Sequence, residues 1–465
     1  MAQALNHWRG FALLLVAGAL IRAQTFGNPV IGFDEQFYLV VGDRMLSGVW
    51  PYVDIFDRKP IGLFLIYAAI AALPGETTLW ANAATLAFAT TTAWVILHAA
   101  GGSARGLFAA IAYLAWLNLL EGEGGQAPVF YNLPVALAAW IVLRRVEAEK
   151  TDIGGGAVAA MLLVGVAIQI KTSVIFEGAL FGLALLWAAR DVGVPGLLLR
   201  ATLWVAAALF PTALAYASYA LAGHGEAWWF ANVASLGGKL PDPWEVRVEG
   251  LATILGILSP LLLLAALARP RGFIAAWLGV ALGGMIAFGA FGSPHYALPV
   301  LVPLCIAAAA AFERRHKLAL GVLTLGLVAG QAVLAVTRLA KGGAPEAYTL
   351  AAAAQPRKGG CIYVYDGYPA LYRLVDTCLP TRWVFPGHLN TANEASAAAL
   401  GVAPVAEVGR ILASEPETIV IDLPLFERGN PATWALVKAA LDREYVLARE
   451  VVTGRDRRRQ VWRRR

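Results

Sequence analysis

The chain has 465 residues, 59% of them hydrophobic and 15% charged, with a mean hydropathy of +0.63, which excludes an ordinary soluble globular protein. Its formal net charge of +6 comes from short basic clusters between apolar runs and from the last eleven residues, so a nucleic-acid partner is not implied. The six histidines are too scattered to make a zinc site, and only three cysteines are present.

The first apolar run, 11–23, lacks a clear small-residue cleavage site and reads as a retained span. Candidate spans are 10–27, 79–99, 104–120, 129–143, 154–170, 172–189, 200–222, 251–268, 272–291, 297–312 and 317–338, about eleven helices of the length a bilayer requires. The apolar stretch 61–73 falls short of the roughly 20 residues needed to cross and is expected to lie in the interface. With the N-terminus inside, the loops holding Arg105, Arg144–Arg145–Lys150, Arg190–Arg200, Arg269–Arg271 and Arg314–Arg315–Lys317 become cytoplasmic, as the positive-inside rule asks. The opposite face then receives the acidic loop 28–78, Glu121 to Gln126, the loop 223–250 and the turn carrying His295-Tyr296. Residues 1–340 thus form a membrane domain whose outer loop carries the site. Residues 341–465 read as a small extracytoplasmic α/β domain, with short strands at 362–365, 382–385, 418–422, 445–451 and 460–462 and helices at 370–375, 406–414 and 431–441. Cys361 and Cys378 lie in that outer region, where they could form a disulfide.

The loop following the first span is out of character with the chain. It holds Asp34, Glu35, Asp43, Asp54 and Asp57 beside Arg44, Arg58 and Lys59, too many charges to bury in lipid and too clustered for an ordinary connector. Asp34-Glu35 sits just past the span, where a partly desolvated carboxylate suits a general base for an attacking hydroxyl; the plainer alternative is that both acids cap the amphipathic stretch 36–46. Arg58 and Lys59, at the mouth of the interfacial helix, are placed to hold a phosphate, and Lys171, His295 and Tyr296 add donors on the same face. Against that, Lys171 could snorkel to the interface or pair with Glu177, and His295-Tyr296 could be a loop contact. Glu121 and Glu123 form a second acidic patch, able to orient an acceptor, share in base catalysis or hold a divalent cation, or to be merely a solvated loop, and Asp54 and Asp57 are candidates for the same acceptor role.

These residues resemble the GT-C-type, polyprenyl-phosphate-dependent membrane glycosyltransferases, the group of protein O-mannosyltransferases and lipid A aminoarabinose transferases. Asp34-Glu35, Met45-Leu-Ser-Gly48, Pro51-Tyr-Val-Asp54 and Phe56-Asp-Arg-Lys-Pro60 follow that family's first outer loop in order and approximate spacing, and the likeness extends more weakly along most of the chain. The resemblance implies an inverting transfer at the outer face of the bacterial inner membrane, from a polyprenyl-phosphate-linked sugar to a hydroxyl on a glycan, lipid or protein. Asp34 would be the base with Glu35 in support, and Arg58, Lys59 and Lys171 would hold the donor phosphate. No cofactor is required in principle, though a divalent cation is an option. Two departures stand out: Ile61 replaces the second proline of the usual Lys-Pro-Pro, and Glu121-Gly-Glu123 does not clearly match the family's aspartate-bearing second loop. The rival readings are a transporter or flippase of a lipid-linked saccharide, and a noncatalytic subunit of polysaccharide assembly; polar groups gathered at one edge rather than at the midplane favour the enzyme.

Overall fold

The computed structural model describes residues 7–148, 154–289, 291–357, 359–426 and 428–465; Lys150, expected in a cytoplasmic loop, lies outside the described residues. The chain is mostly helical and forms two compact units. One comprises Met1–Phe26, Asn82–Ala215 and Pro243–Leu334, and the other Gly27–Ala81, Tyr216–Asp242 and Ala335–Arg465.

Six helical segments among the described residues are long and apolar enough to cross a bilayer: Thr77–Ala99, Ala127–Glu147, Arg190–Leu221, Trp244–Ala268, Pro294–Arg314 and His316–Ala354. The other expected spans coincide with shorter apolar helices, Trp8–Ile21, Ala104–Leu117, Gly155–Ile168, Thr172–Ala188 and Gly272–Phe288. The stretch expected in the interface is the 11-residue helix Ile61–Ala71. Leu198, Leu199, Leu209, Phe210, Leu214 and Leu221 stand more than half exposed along one of the long helices. A wall of this kind is untenable in water and natural in lipid.

In the helical unit the packing depends on small residues and on polar side chains that find backbone partners, as helix contacts in lipid require. A Cβ on Gly326 would run into the Trp116 ring, whose indole N–H donates to the Ile257 carbonyl at 2.9 Å. Asn118 donates to the Ile21 carbonyl at 3.0 Å and Asn132 to that of Leu298 at 3.2 Å, tying segments far apart in sequence.

The second unit contains a four-stranded mixed sheet, β1 (Ile362–Val364), β2 (Thr418–Leu423), β3 (Tyr445–Thr453) and β4 (Arg457–Arg464), in the order β1-β2-β4-β3. β1 and β2 are parallel, with Tyr363 opposite Ile419; β4 runs antiparallel to both neighbours, with Val461 opposite Val420. β2 is buried from Thr418 to Asp422, as an apolar run at the centre of a sheet should be. The β3–β4 hairpin turns at Gly454, whose φ of +64° suits glycine. Helices Pro404–Ala413 and Pro431–Glu444 bury Val408, Ile411, Val437 and Leu441. Cys361 and Cys378 are joined in a disulfide.

One expected strand is absent: 382–385 joins no sheet. Pro380 and Pro386 bracket it, and the Arg382 carbonyl instead accepts the Phe56 N–H at 2.8 Å. The expected helix 370–375 shortens to a single turn, Leu371–Leu374.

Candidate functional site

In the second unit the acidic loop opens with the helix Phe33–Met45. Gly32 is its N-cap and Glu35 its third residue, with a carboxylate lying so close to Gly32 that an added Cβ there would collide with it. Glu35 is buried in the first turn of that helix. Half-buried Asp34 points elsewhere: its Oδ2 accepts the Tyr38 hydroxyl one turn on, at 3.1 Å. Burial, and after it the carboxylates of Asp34, Asp57 and Glu35, push the Tyr38 phenol well above 10, so it stays protonated and a donor. Lys59 Nζ stands 5.4 Å from the centre of the same ring. A carboxylate and an ammonium, 25 residues apart in sequence, thus meet around one tyrosine.

Lys59 is aimed by its loop. Asp57 Oδ1 accepts the Lys59 N–H at 2.7 Å, the Tyr52 hydroxyl donates to the Lys59 carbonyl at 2.7 Å, and Asp54 Oδ2 accepts the Trp50 N–H at 2.7 Å. Tyr52 has a φ of +71°, a strained backbone for a residue with a side chain and one that persists only where the surroundings over-determine it. Asp54 and Asp57 therefore act as loop formers. Asp57 Oδ1 also lies 3.9 Å from Lys59 Nζ, and its Oδ2 lies 3.9 Å from His388 Nε2. Burial, and then the charges of Arg58, Lys59 and Lys239, hold His388 well below 6.5, so it is a neutral ring packed among Phe37, Phe56 and Phe385.

The reading of Arg58 as a phosphate ligand meets an obstacle. Its two terminal nitrogens form a fork on Glu394, at 2.8 and 2.7 Å, and one also donates to the Ala399 carbonyl at 2.5 Å. The guanidinium is largely buried, with Glu394 more so, and Lys239 stands 3.5 Å from the same carboxylate. A bidentate buried pair of this kind anchors a loop. Arg44 does the same from the helix, donating to the carbonyls of Tyr372 and Thr377.

In the helical unit Lys171 is 93% buried and lies 4.2 Å over the Tyr296 ring, which stacks on His295 at 4.6 Å. His295 Nδ1 is 2.9 Å from Glu121 Oε2. Four of the expected site residues are thereby linked in a row, Lys171, Tyr296, His295 and Glu121. Lys171 and Tyr296 line a pocket of about 30 Å³ with Tyr131, Ser173 and Glu177. Glu177, one candidate partner for Lys171, accepts the Trp277 indole N–H at 2.6 Å. Glu121 has a φ of +57°, and the loop after it is held by a residue the sequence did not single out. Arg22 is 99% buried and donates to the carbonyls of Gly122, Glu123 and Gly124 at 2.9, 2.5 and 3.1 Å. A lone arginine at the end of the first apolar run was the available signal. Tyr38, His388 and Glu394 carried none, being ordinary residues whose partners are fixed only by folding. Among the described residues no three of His, Cys, Asp or Glu are grouped as a metal site would need.

Neither family models nor curated proteins match the sequence. Solved structures do. ArnT from Cupriavidus metallidurans bound to undecaprenyl phosphate superposes with a TM-score of 0.62 at 16% identity, covering 97% of each chain. The apo state of that protein gives 0.64 at 17% identity over 98% of each. The chain therefore has the fold of ArnT along essentially its whole length.

Proposed function

We propose that this protein is an inverting membrane glycosyltransferase that moves a sugar from a polyprenyl-phosphate donor to an acceptor hydroxyl at the outer face of the bacterial inner membrane. About eleven spans and an outward-facing α/β region belong to the same reading, with the basic short loops inside. The observation that carries it is the meeting of Asp34 and Lys59 around Tyr38. Asp34 takes the proton of the acceptor hydroxyl as its oxygen attacks the anomeric carbon. The bond from that carbon to the phosphate oxygen breaks with its electrons on the phosphate, and Lys59 answers the charge that develops there. Tyr38 orients the Asp34 carboxylate by its hydrogen bond. Lys171, in the helical unit, keeps the part of a cation for a lipid-linked phosphate, with His295 and Tyr296 positioning it. ArnT bound to undecaprenyl phosphate supports a donor of this class. Glu121 and Glu123 are assigned to the acceptor.

The test is transfer itself. Membranes containing wild-type or Asp34→Asn protein are given a panel of polyprenyl-phosphate sugars, and free polyprenyl phosphate is followed by mass spectrometry. Asparagine keeps the size and an acceptor for Tyr38 but cannot take a proton, so release should fall by about 10²–10⁴-fold. Intact donors throughout, in membranes holding an acceptor, would shift the assignment to transport of the lipid-linked saccharide.

A further inference from the structure

A second pocket, of about 180 Å³, lies within the second unit beyond the end of β1. None of the residues assigned to catalysis lines it. β1 delivers Tyr365 and Asp366, the loop after β2 supplies Phe426, and helix Pro431–Glu444 contributes its cap Asn430 and Trp434. The volume is below the roughly 300 Å³ at which sites for drug-sized ligands begin, so the pocket suits a single ring.

Its walls are of two kinds. The Tyr365 and Trp434 rings lie near-parallel, 27° apart with centroids 5.9 Å from each other, and the Tyr365 hydroxyl is fixed on Thr433 Oγ1 at 3.1 Å. Opposite in character are Asn390 and Asp366. Asn390 is 95% buried and donates through Nδ2 to the Tyr365 carbonyl at 2.9 Å, while its Oδ1 is buried with no hydrogen-bond partner among the described residues. That oxygen is closed off from the pocket, so Asn390 fixes the Tyr365 backbone and leaves the polar wall to Asp366. Asp366 accepts the Phe426 N–H at 3.3 Å. Burial, with Asp422 next, pushes its carboxyl up to about 7, so it is poised both to donate and to accept.

An aromatic wall beside a carboxyl fits a ligand with C–H faces and a rim of hydroxyls. A phosphate would meet the Asp366 carboxyl, and a purely apolar ligand would bury that carboxyl against hydrocarbon. We propose that this pocket binds one sugar ring of a glycan, as a recognition site separate from the residues of transfer. The ring's C–H face lies against Trp434, and its hydroxyls exchange hydrogen bonds with Asp366.

The experiment uses the purified full-length protein in lipid nanodiscs and saturation-transfer difference NMR with free glucose, galactose, mannose, arabinose and N-acetylglucosamine. At least one sugar should show saturation of its ring protons, and Asp34→Asn should leave it unchanged. Trp434→Ala should weaken that sugar's binding by about five-fold or more. Phe426→Ala, at an exposed position, should weaken it too and decides the matter if Trp434→Ala does not fold. No saturation with any of the sugars, or saturation equal in wild type and folded pocket variants, overturns the proposal. So does a signal lost in Asp34→Asn alone, which would place the sugar among the transfer residues. Donor release is measured independently, so failure of the transferase reading and failure of this one are told apart.

Discussion

Arg58→Met separates the two parts that Arg58 could play. Removing the guanidinium leaves Glu394 with its side chain about 5% exposed and, among the described residues, only the Lys239 cation, at 3.5 Å, to answer it. Breaking one half of a buried pair costs about 3–5 kcal/mol; since Lys239 stays, the low end, about 3 kcal/mol, is expected. Arg58→Lys should recover only part, because an ammonium cannot make the parallel fork on Glu394 while also reaching the Ala399 carbonyl. The double variant Arg58→Met/Glu394→Leu should recover most, since a buried pair replaced by apolar groups is often close to neutral. The assay is the thermal unfolding midpoint of purified protein at a fixed scan rate, with donor release measured alongside. The reasoning is refuted if Arg58→Met unfolds like wild type while the KM for the donor rises, because Arg58 would then be touching the phosphate and not anchoring its loop.

Two further outcomes follow from the geometry. In Asp366 the folded carboxyl sits near 7 against an ordinary 3.8, so between those values the unfolded chain has lost a proton that the folded one keeps, and stability falls as pH rises through the window. Asp366→Asn should flatten that slope and stabilise the protein at pH 8 by at most about 4 kcal/mol, read as unfolding midpoints at pH 4 and pH 8; an unchanged slope would count against the cause given. Arg22→Met removes three hydrogen bonds from a charged donor to the carbonyls of Gly122, Glu123 and Gly124 and should cost about 3 kcal/mol, with faster amide exchange confined to the loop after Glu121; a loop that exchanges as in wild type would show that other contacts hold it.

What the sequence made legible was set by how local the cause was. The apolar runs, the short helix at 61–71 and four of the five expected strands depend on short windows of side-chain character, and the structure has elements at those places. The loop after the first apolar run stood out because charges in an apolar chain must have a reason to be there. Within it, however, sequence could not divide the labour. Asp34 and Glu35 are neighbours, and the structure puts the Glu35 carboxylate against Gly32 and the Asp34 carboxylate on the Tyr38 hydroxyl. Arg58 and Lys59 are neighbours too, and what separates them is Glu394, 336 residues from Arg58. The strand expected at 382–385 failed for a similar reason, since the Arg382 carbonyl found its partner in Phe56 and not in a sheet. The missing strand and the Arg58–Glu394 pair both depend on a partner hundreds of positions away. A charge can therefore be assigned to chemistry from sequence only after its long-range claimants are known: of the two cations at the mouth of this loop, Arg58 is held by Glu394, and Lys59 stands beside Tyr38 with Asp34.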